Sequence, residues 1–85
     1  MGKWRIYCTE RFIKKVRRLG LSDRVKRFLS SLEAISLLRE EVVEYVDRRP
    51  AKRIRMGDWR LFFLVDCSKK LIIFYDIRHR RRAYG

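Results

Sequence analysis

Basic side chains alternate along one stretch of the chain and then gather near its C-terminal end. Arg53 and Arg55 lie two residues apart, and Arg60 follows a Gly-Asp pair. A second basic run reads Arg78-His79-Arg80-Arg81-Arg82-Ala83-Tyr84. Arginine presents a planar fork of donors that holds phosphate through two hydrogen bonds, and a tyrosine ring can stack on an unpaired base. The residues therefore predict a polyanion site, for which RNA is the expected ligand.

The charge of the whole chain supports this interpretation. Its 85 residues carry a formal net charge of +13 and a pI of about 10.7. Five acids between Glu33 and Asp47 are opposed only by Arg39, whereas twelve Lys and Arg face three acids from Arg48 to Gly85. Such a field attracts polyanions, and the charge alone does not distinguish RNA, DNA, anionic lipid and an acidic protein. The C-terminal half is the expected binding region.

Hydrophobic periodicity predicts the elements that must position these side chains. Apolar and polar residues alternate in some segments and recur at helical spacing in others, with Thr9 and Ser22 as helix starts and Gly20 as a helix end. The predicted strands are Lys3–Thr9, Lys52–Met56, Trp59–Val65 and Leu71–Ile77, and the predicted helices are Glu10–Leu19 and about Ser22–Glu44, the second with a possible break near Ser36. The expected fold is α+β in the order β-α-α-β-β-β, with two N-terminal helices packed on one face of a mainly antiparallel four-stranded sheet.

Strand alternation also sorts the arginines by face. If Ile54 and Met56 point towards the helices, Arg53 and Arg55 must point to the open face, and Arg60 begins the next strand close by. Any one of these arginines could instead be a solvated surface charge. Clustered like charges repel one another, however, so the set as a whole favours a binding site.

Several classes of protein and site find no support in the sequence. There is no apolar run of about 18 residues, as a membrane span needs, and the N-terminal alternation is unlike a signal peptide, so a cytoplasmic protein is expected. Gly57 stands alone rather than in a phosphate-binding glycine loop. No grouping of His, Cys, Asp and Glu indicates a metal site, and no cofactor is expected. His79, the single histidine, is more typical of a packing residue than of a catalyst.

The two cysteines, Cys8 and Cys67, match no zinc or redox spacing. Reduced thiols are the expectation. A disulfide between them is an alternative if the protein comes from a hyperthermophile. The chain contains neither Asn nor Gln, and proteins of hyperthermophiles tend to have few of these residues.

Two segments resemble signatures of the RelE/ParE toxin superfamily. Lys52–Arg60, KRIRMGDWR, is similar to its "RIRxGDYR" strand-turn-strand signature. Asp76–Tyr84, DIRHRRRAY, resembles the "I-x-HR…Y" C-terminal signature of the RelE branch, and Phe12–Leu19 adds a weaker likeness. The resemblance covers essentially the whole chain, residues 1–85, as one toxin domain.

The resemblance implies a function. RelE-like proteins are toxins of type II toxin–antitoxin pairs that bind the ribosome and cleave mRNA in the A site, which inhibits translation. The RNA 2′-OH attacks the adjacent phosphate without a metal. A small RelB-like antitoxin wraps around the toxin with helical segments, as a heterodimer or heterotetramer. The acidic segment Glu33–Asp47 is then either a solvated helix face or a contact with basic residues of that antitoxin.

The resemblance also implies roles for individual residues. Arg60 would stabilise the phosphorane, Arg80 would serve the leaving group or the transition state, and Tyr84 would stack on a base. The implied catalytic set is Arg55, Arg60, Arg80 and Tyr84, and the implied RNA-binding set is Arg53, His79, Arg78, Arg81, Arg82, Lys14, Lys15, Arg17 and Arg18.

One position departs from the family pattern. Where the best-known member has a lysine as general base, this chain has Arg55, and an arginine rarely gives up its proton. Either orientation and charge stabilisation carry most of the rate, or another group is the base, for which His79 is the only neutral-pH candidate. We expect electrostatics to dominate, with His79 auxiliary.

Two other functions stay open. A ParE-like relative would inhibit DNA gyrase without nuclease activity, and a degenerate relative would only bind RNA. ParE-like proteins generally lack the basic catalytic set and the terminal tyrosine. Arg53, Arg55, Arg80 and Tyr84 together therefore favour the RelE branch.

Overall fold

A computed structural model describes residues 3–81 of the chain. Its elements are β1 (Arg5–Cys8), α1 (Glu10–Arg18), α2 (Ser22–Ser30), α3 (Ala34–Leu38), β2 (Val42–Val46), β3 (Arg49–Met56), β4 (Trp59–Asp66) and β5 (Leu71–His79). The strands form one sheet in the order β1-β5-β4-β3-β2, in which β1 is parallel to β5 and the other pairs are antiparallel. The predicted α+β class and mainly antiparallel sheet are confirmed.

The prediction of a helix continuing to Glu44 was wrong. Helix α2 ends at Ser30, a short α3 follows, and Val42–Val46 is a strand, so the sheet has five strands rather than four. The β-branched valines favour an extended backbone. The turn after them, Asp47-Arg48, has φ angles of 51° and 66°, the left-handed conformation that matches the twist of a two-residue hairpin. This turn pairs β2 with β3.

The ends of α1 follow the predicted signals. The Thr9 hydroxyl oxygen accepts a hydrogen bond of 3.1 Å from the backbone N–H of Phe12, which satisfies one of the free donors at the helix start. Gly20, with φ of 72°, follows the last turn, where the left-handed conformation ends helices. These signals set where α1 begins after β1 and where it ends.

The main core lies between the helices and one face of the sheet. It is formed by Phe12 and Val16 of α1, Val25 of α2, Leu37 of α3, Met56, and the inward-facing residues Leu61, Phe63, Val65, Ile72, Phe74 and Ile77 of β4 and β5. Burying one large apolar side chain contributes about 1.5–3 kcal/mol. These alternating residues therefore fix which side of each strand faces away from the helices.

The other face of the sheet, called the concave face below, carries Arg53, Arg55, Arg60, Phe62 and Tyr75. The Tyr75 hydroxyl donates a hydrogen bond of 3.1 Å to the Glu44 carboxylate. Tyr75 is on β5 and Glu44 on β2, with two strands between them. The sheet must therefore curl strongly to bring these strands together, as twisted sheets do. Phe62, only 5% exposed, packs beneath with its ring centroid 6.4 Å from that of Tyr75.

Both cysteines are free: Cys8 is partly buried and Cys67 exposed. Burial raises the pKa of the Cys8 thiol, because an apolar environment disfavours the thiolate. No helix among residues 3–81 is both long enough and apolar enough to span a membrane.

Candidate nucleic-acid interface

Three arginines lie side by side across the concave face. Arg55 of β3 pairs in register with Arg60 of β4, which pairs with Arg78 of β5. Paired residues share a face of the sheet, with Cα atoms about 4.5–5.5 Å apart. Arg53 lies two residues before Arg55 on the same face. The predicted facing is confirmed, since Met56 is buried on the core side while Arg53 and Arg55 are exposed.

A cavity of about 380 Å³ opens beside this row. Its lining consists of Arg39, Glu40, Glu41, Val43, Arg53, Arg55 and Arg60. Nη1 of Arg60 is fully buried, so this guanidinium lies deepest. Nε of Arg55 donates a hydrogen bond of 3.0 Å to the Gly57 carbonyl, which holds that side chain over the β3–β4 turn. The cavity thus combines pre-positioned cations with carboxylates.

The β3–β4 turn brings Arg80 to the same end of the sheet. Its backbone N–H donates a hydrogen bond of 2.8 Å to the Asp58 carbonyl, and its Nη1 lies 3.7 Å from the Asp58 carboxylate. Gly57 has φ of 60°, and a Cβ there would overlap the Arg24 guanidinium. The left-handed φ therefore favours glycine in this turn, and the flexible end of the Arg24 side chain lies against it.

Asp76 holds Arg78 in place. The Asp76 carboxylate accepts hydrogen bonds of 2.8 Å from Nε of Arg78 and from Nζ of Lys15. Burial by itself raises the pKa of the Asp76 carboxyl, but the hydrogen bonds from Lys15, Arg78 and the Ile77 N–H outweigh it, and the pKa lies below its usual value. The Arg78 guanidinium also stacks over Phe62, 4.6 Å from the ring centroid. Arg78 is therefore held by two partners, Asp76 and Phe62, before any ligand arrives.

Comparison with known proteins identifies the architecture that carries this site. No protein-family model and no curated protein matches the sequence. Among solved structures, the chain is similar to the archaeal RelE–RelB complex from Pyrococcus horikoshii OT3, with a TM-score of 0.71 and 23% identity over 95% of this chain and 99% of that chain. The chain has the RelE fold. The expectation drawn from the two sequence signatures is confirmed at this level.

Within the RelE fold, His79 lies away from the arginine row. It pairs in register with Trp59, and the two rings meet edge to face with centroids 5.1 Å apart. Trp59 packs against the main core, so both rings are on the helix side. There they line a cavity of about 520 Å³ with Lys15, Leu19, Ile77, Arg78 and Arg81. The geometry gives His79 a packing role and does not bring it to Arg55 or Arg60.

The remaining predicted residues fall into three groups. Lys15 is tied to Asp76, and exposed Lys14 pairs with Glu10 at 3.2 Å. Arg17, Arg18 and Arg81 are exposed and lie in the last turn of α1 or after β5. Arg82 and Tyr84 lie outside the described residues. The RelE fold therefore gathers Arg53, Arg55, Arg60, Arg78 and Arg80 at one end of the sheet, and their roles stay predictions.

Sequence reasoning missed Glu40 and Glu41 as lining residues. It placed both on a long helix, where an acidic run is usually a solvated face. With Val42–Val46 as a strand, the hairpin folds this segment back beside β3. The available signal was the valine-rich segment followed by Asp47-Arg48, which favours a hairpin over a helix. Arg24 lies at an exposed helix position, and nothing in the sequence indicated its contact with Gly57.

Proposed function

We propose that this chain is the toxin of a toxin–antitoxin pair and acts as a ribosome-dependent endoribonuclease that cleaves mRNA in the A site. The observation that carries the proposal is the row Arg55–Arg60–Arg78, with Arg53 beside it, on the exposed face of a RelE fold. It acts in the cytoplasm, where ribosomes translate.

The arrangement suits attack of an RNA 2′-OH on its own phosphate. The phosphorane that forms carries more negative charge than the ground state, so fixed donors stabilise it selectively. Arg55 is held by the Gly57 carbonyl, and Arg78 by Asp76 and Phe62. Because these groups are held in place before substrate binds, little free energy is lost to reorganisation during the reaction. No metal is required for this step.

The exposed apolar side chains support a protein partner. Among residues 3–81, eight large hydrophobic residues are exposed: Ile6, Tyr7, Ile13, Leu19, Ile35, Val42, Val43 and Tyr45. Five of them lie on the edge strands β1 and β2, and an edge strand can pair with a partner chain. The similar solved structure is a complex of RelE with RelB. We propose that a RelB-like antitoxin wraps this chain with helical segments, in a heterodimer or heterotetramer.

Primer extension on mRNA in a translating ribosome mixture tests the proposal. Purified wild type should produce cuts within A-site codons, and a 2′-O-methyl group at the cut position should abolish them, because that oxygen is the nucleophile. Arg80→Ala should lose the cuts, whereas Arg27→Ala, changed on the exposed side of α2, should retain them.

Two negative results would redirect the proposal. Growth arrest without mRNA cuts would favour the ParE-like inhibition of DNA gyrase. Neither arrest nor cuts would indicate a relative that only binds RNA. Both would contradict the endoribonuclease function.

A further inference from the structure

The arginine row leaves one chemical role unfilled. Attack by a 2′-OH needs a group that accepts its proton, and arginine is a poor base. His79 faces the helix side of the sheet, beside Trp59. The cavity beside the row, however, is lined by two carboxylates, Glu40 and Glu41.

The two glutamates differ in their position along the backbone. Val42 of β2 pairs with Lys52 of β3, and Nζ of Lys52 donates a hydrogen bond of 2.5 Å to the Leu38 carbonyl, on the helix side. Continuing the register by one residue sets Glu41 opposite Arg53, which faces the concave side. Glu40 belongs to the turn after α3, where its N–H donates a hydrogen bond of 3.2 Å to the Leu37 carbonyl. Of the two lining glutamates, Glu41 is therefore the one that adjoins the β2–β3 pairing, one residue before its first pair.

The charges around Glu41 favour a bound phosphate next to it. The charged groups that share its cavity are Arg39, Glu40, Arg53, Arg55 and Arg60. Within residues 3–81, neither Glu41 nor Arg53 forms an ion pair. Four guanidiniums against two carboxylates leave a surplus of positive charge for an RNA phosphate. The Glu41 carboxylate is left available to accept a proton.

We propose that Glu41 is the general base of the cleavage reaction, an inference that rests on the proposed function. Its carboxylate takes the proton of the 2′-OH, and the 2′-oxygen forms a bond to phosphorus. The bond from phosphorus to the 5′-oxygen breaks, and that oxygen keeps the electron pair and receives a proton from solvent water. The products are a 2′,3′-cyclic phosphate and a 5′-hydroxyl. Glu41 returns its proton to solvent.

Single-turnover cleavage on programmed ribosomes, measured from pH 6 to 8.5, tests this assignment. The wild-type rate should depend less on pH than the rate of a variant that lacks the carboxylate. Glu41→Gln should slow cleavage by about 10²–10⁴-fold, the usual contribution of general acid–base catalysis. Its residual rate should rise about tenfold per pH unit, because hydroxide then removes the proton. Glu33→Gln is the matched control, because Glu33 is exposed and does not line this cavity, and it should stay within a fewfold of wild type.

The outcomes separate the inference from the proposed function. Absence of cleavage by the wild type would contradict the function itself. Cleavage by Glu41→Gln at the wild-type rate would overturn only the role of Glu41. An equal loss in both glutamine variants, with the pH dependence of the wild type, would show a structural effect and would also overturn it. Ribosome affinity, measured by co-sedimentation, should be unchanged in Glu41→Gln.

Discussion

The two faces of the sheet use the same strands for opposite purposes. Along β4, Leu61, Phe63 and Val65 face the helices and are buried in the main core. Arg60 and Phe62 alternate with them and face the concave side. The helix-covered face is apolar and closed, whereas the concave face collects positive charge at an open cavity. Within a single strand, alternate residues therefore either stabilise the core or face the candidate binding site.

The concave face nevertheless has structure of its own. Phe62 is buried there beneath Arg78, and the Tyr75–Glu44 hydrogen bond joins two strands that are not neighbours. These contacts fix the curvature and the positions of the arginines. The comparison predicts that changes on the helix-covered face lower stability strongly, and that changes on the concave face lower it weakly.

The largest expected effect on stability comes from the main core. Phe63→Ala removes a fully buried ring and should lower the free energy of unfolding by about 3–5 kcal/mol. Arg55→Gln, on the concave face, should change it by less than about 0.5 kcal/mol, as exposed substitutions usually do. Urea unfolding followed by circular dichroism measures both. Equal losses in the two variants would contradict the division between the faces.

A smaller effect is expected at the edge where the faces meet. Asp76→Asn weakens the hydrogen bonds to Lys15 and Arg78 and should cost about 1–2 kcal/mol at neutral pH. Because the pKa of Asp76 is lowered, its contribution is present above its unfolded pKa of about 3.9 and is lost as pH falls through the lower folded value. Urea unfolding should show the difference from wild type shrinking on acidification. A difference that grows instead would show that Asp76 is not held ionised.

The smallest expected effect lies at the Tyr75–Glu44 contact. Tyr75→Phe should cost about 0.5–1 kcal/mol, the usual net value of one hydrogen bond. Burial, and then the hydrogen bond to Glu44, raise the pKa of Tyr75 to about 12. The contribution should be present below the ordinary pKa of about 10 and be lost as pH rises through that value of about 12.

The phenolate absorbance of wild type minus that of Tyr75→Phe reports this titration. A midpoint near 12 would support the contact across the sheet. A midpoint at the ordinary tyrosine value would indicate that β2 and β5 do not meet in solution.

The sequence predicted the parts of the fold that depend on local patterns. The cap at Thr9, the turn at Gly57 and the facing of Arg53 and Arg55 follow from residue type and period, and all three are present. Helix α3 and strand β2 were missed, because Val42–Val46 fits a helical stripe as well as a strand. Pairing with β3 decides between the two, and such tertiary contacts override local preference.

The same error concealed part of the candidate site. While residues 40 and 41 were assigned to a helix, nothing connected them with Arg53. The curl of the sheet was equally beyond sequence reasoning, because the Tyr75–Glu44 bond joins residues 31 positions apart. His79 was assigned by its residue type alone, and only strand register shows that it lies on the other face.

The most direct test of the account is the cleavage of ribosome-bound mRNA by Arg60→Gln. Arg60 lies in the middle of the arginine row, and the loss of one transition-state donor typically slows a reaction by about 10²–10³-fold. Arg27→Gln, a matched change on exposed α2, controls for charge, and circular dichroism confirms folding. We expect this loss for Arg60→Gln alone, with 2′,3′-cyclic ends on the wild-type product. Cleavage at the wild-type rate by a folded Arg60→Gln protein would contradict it.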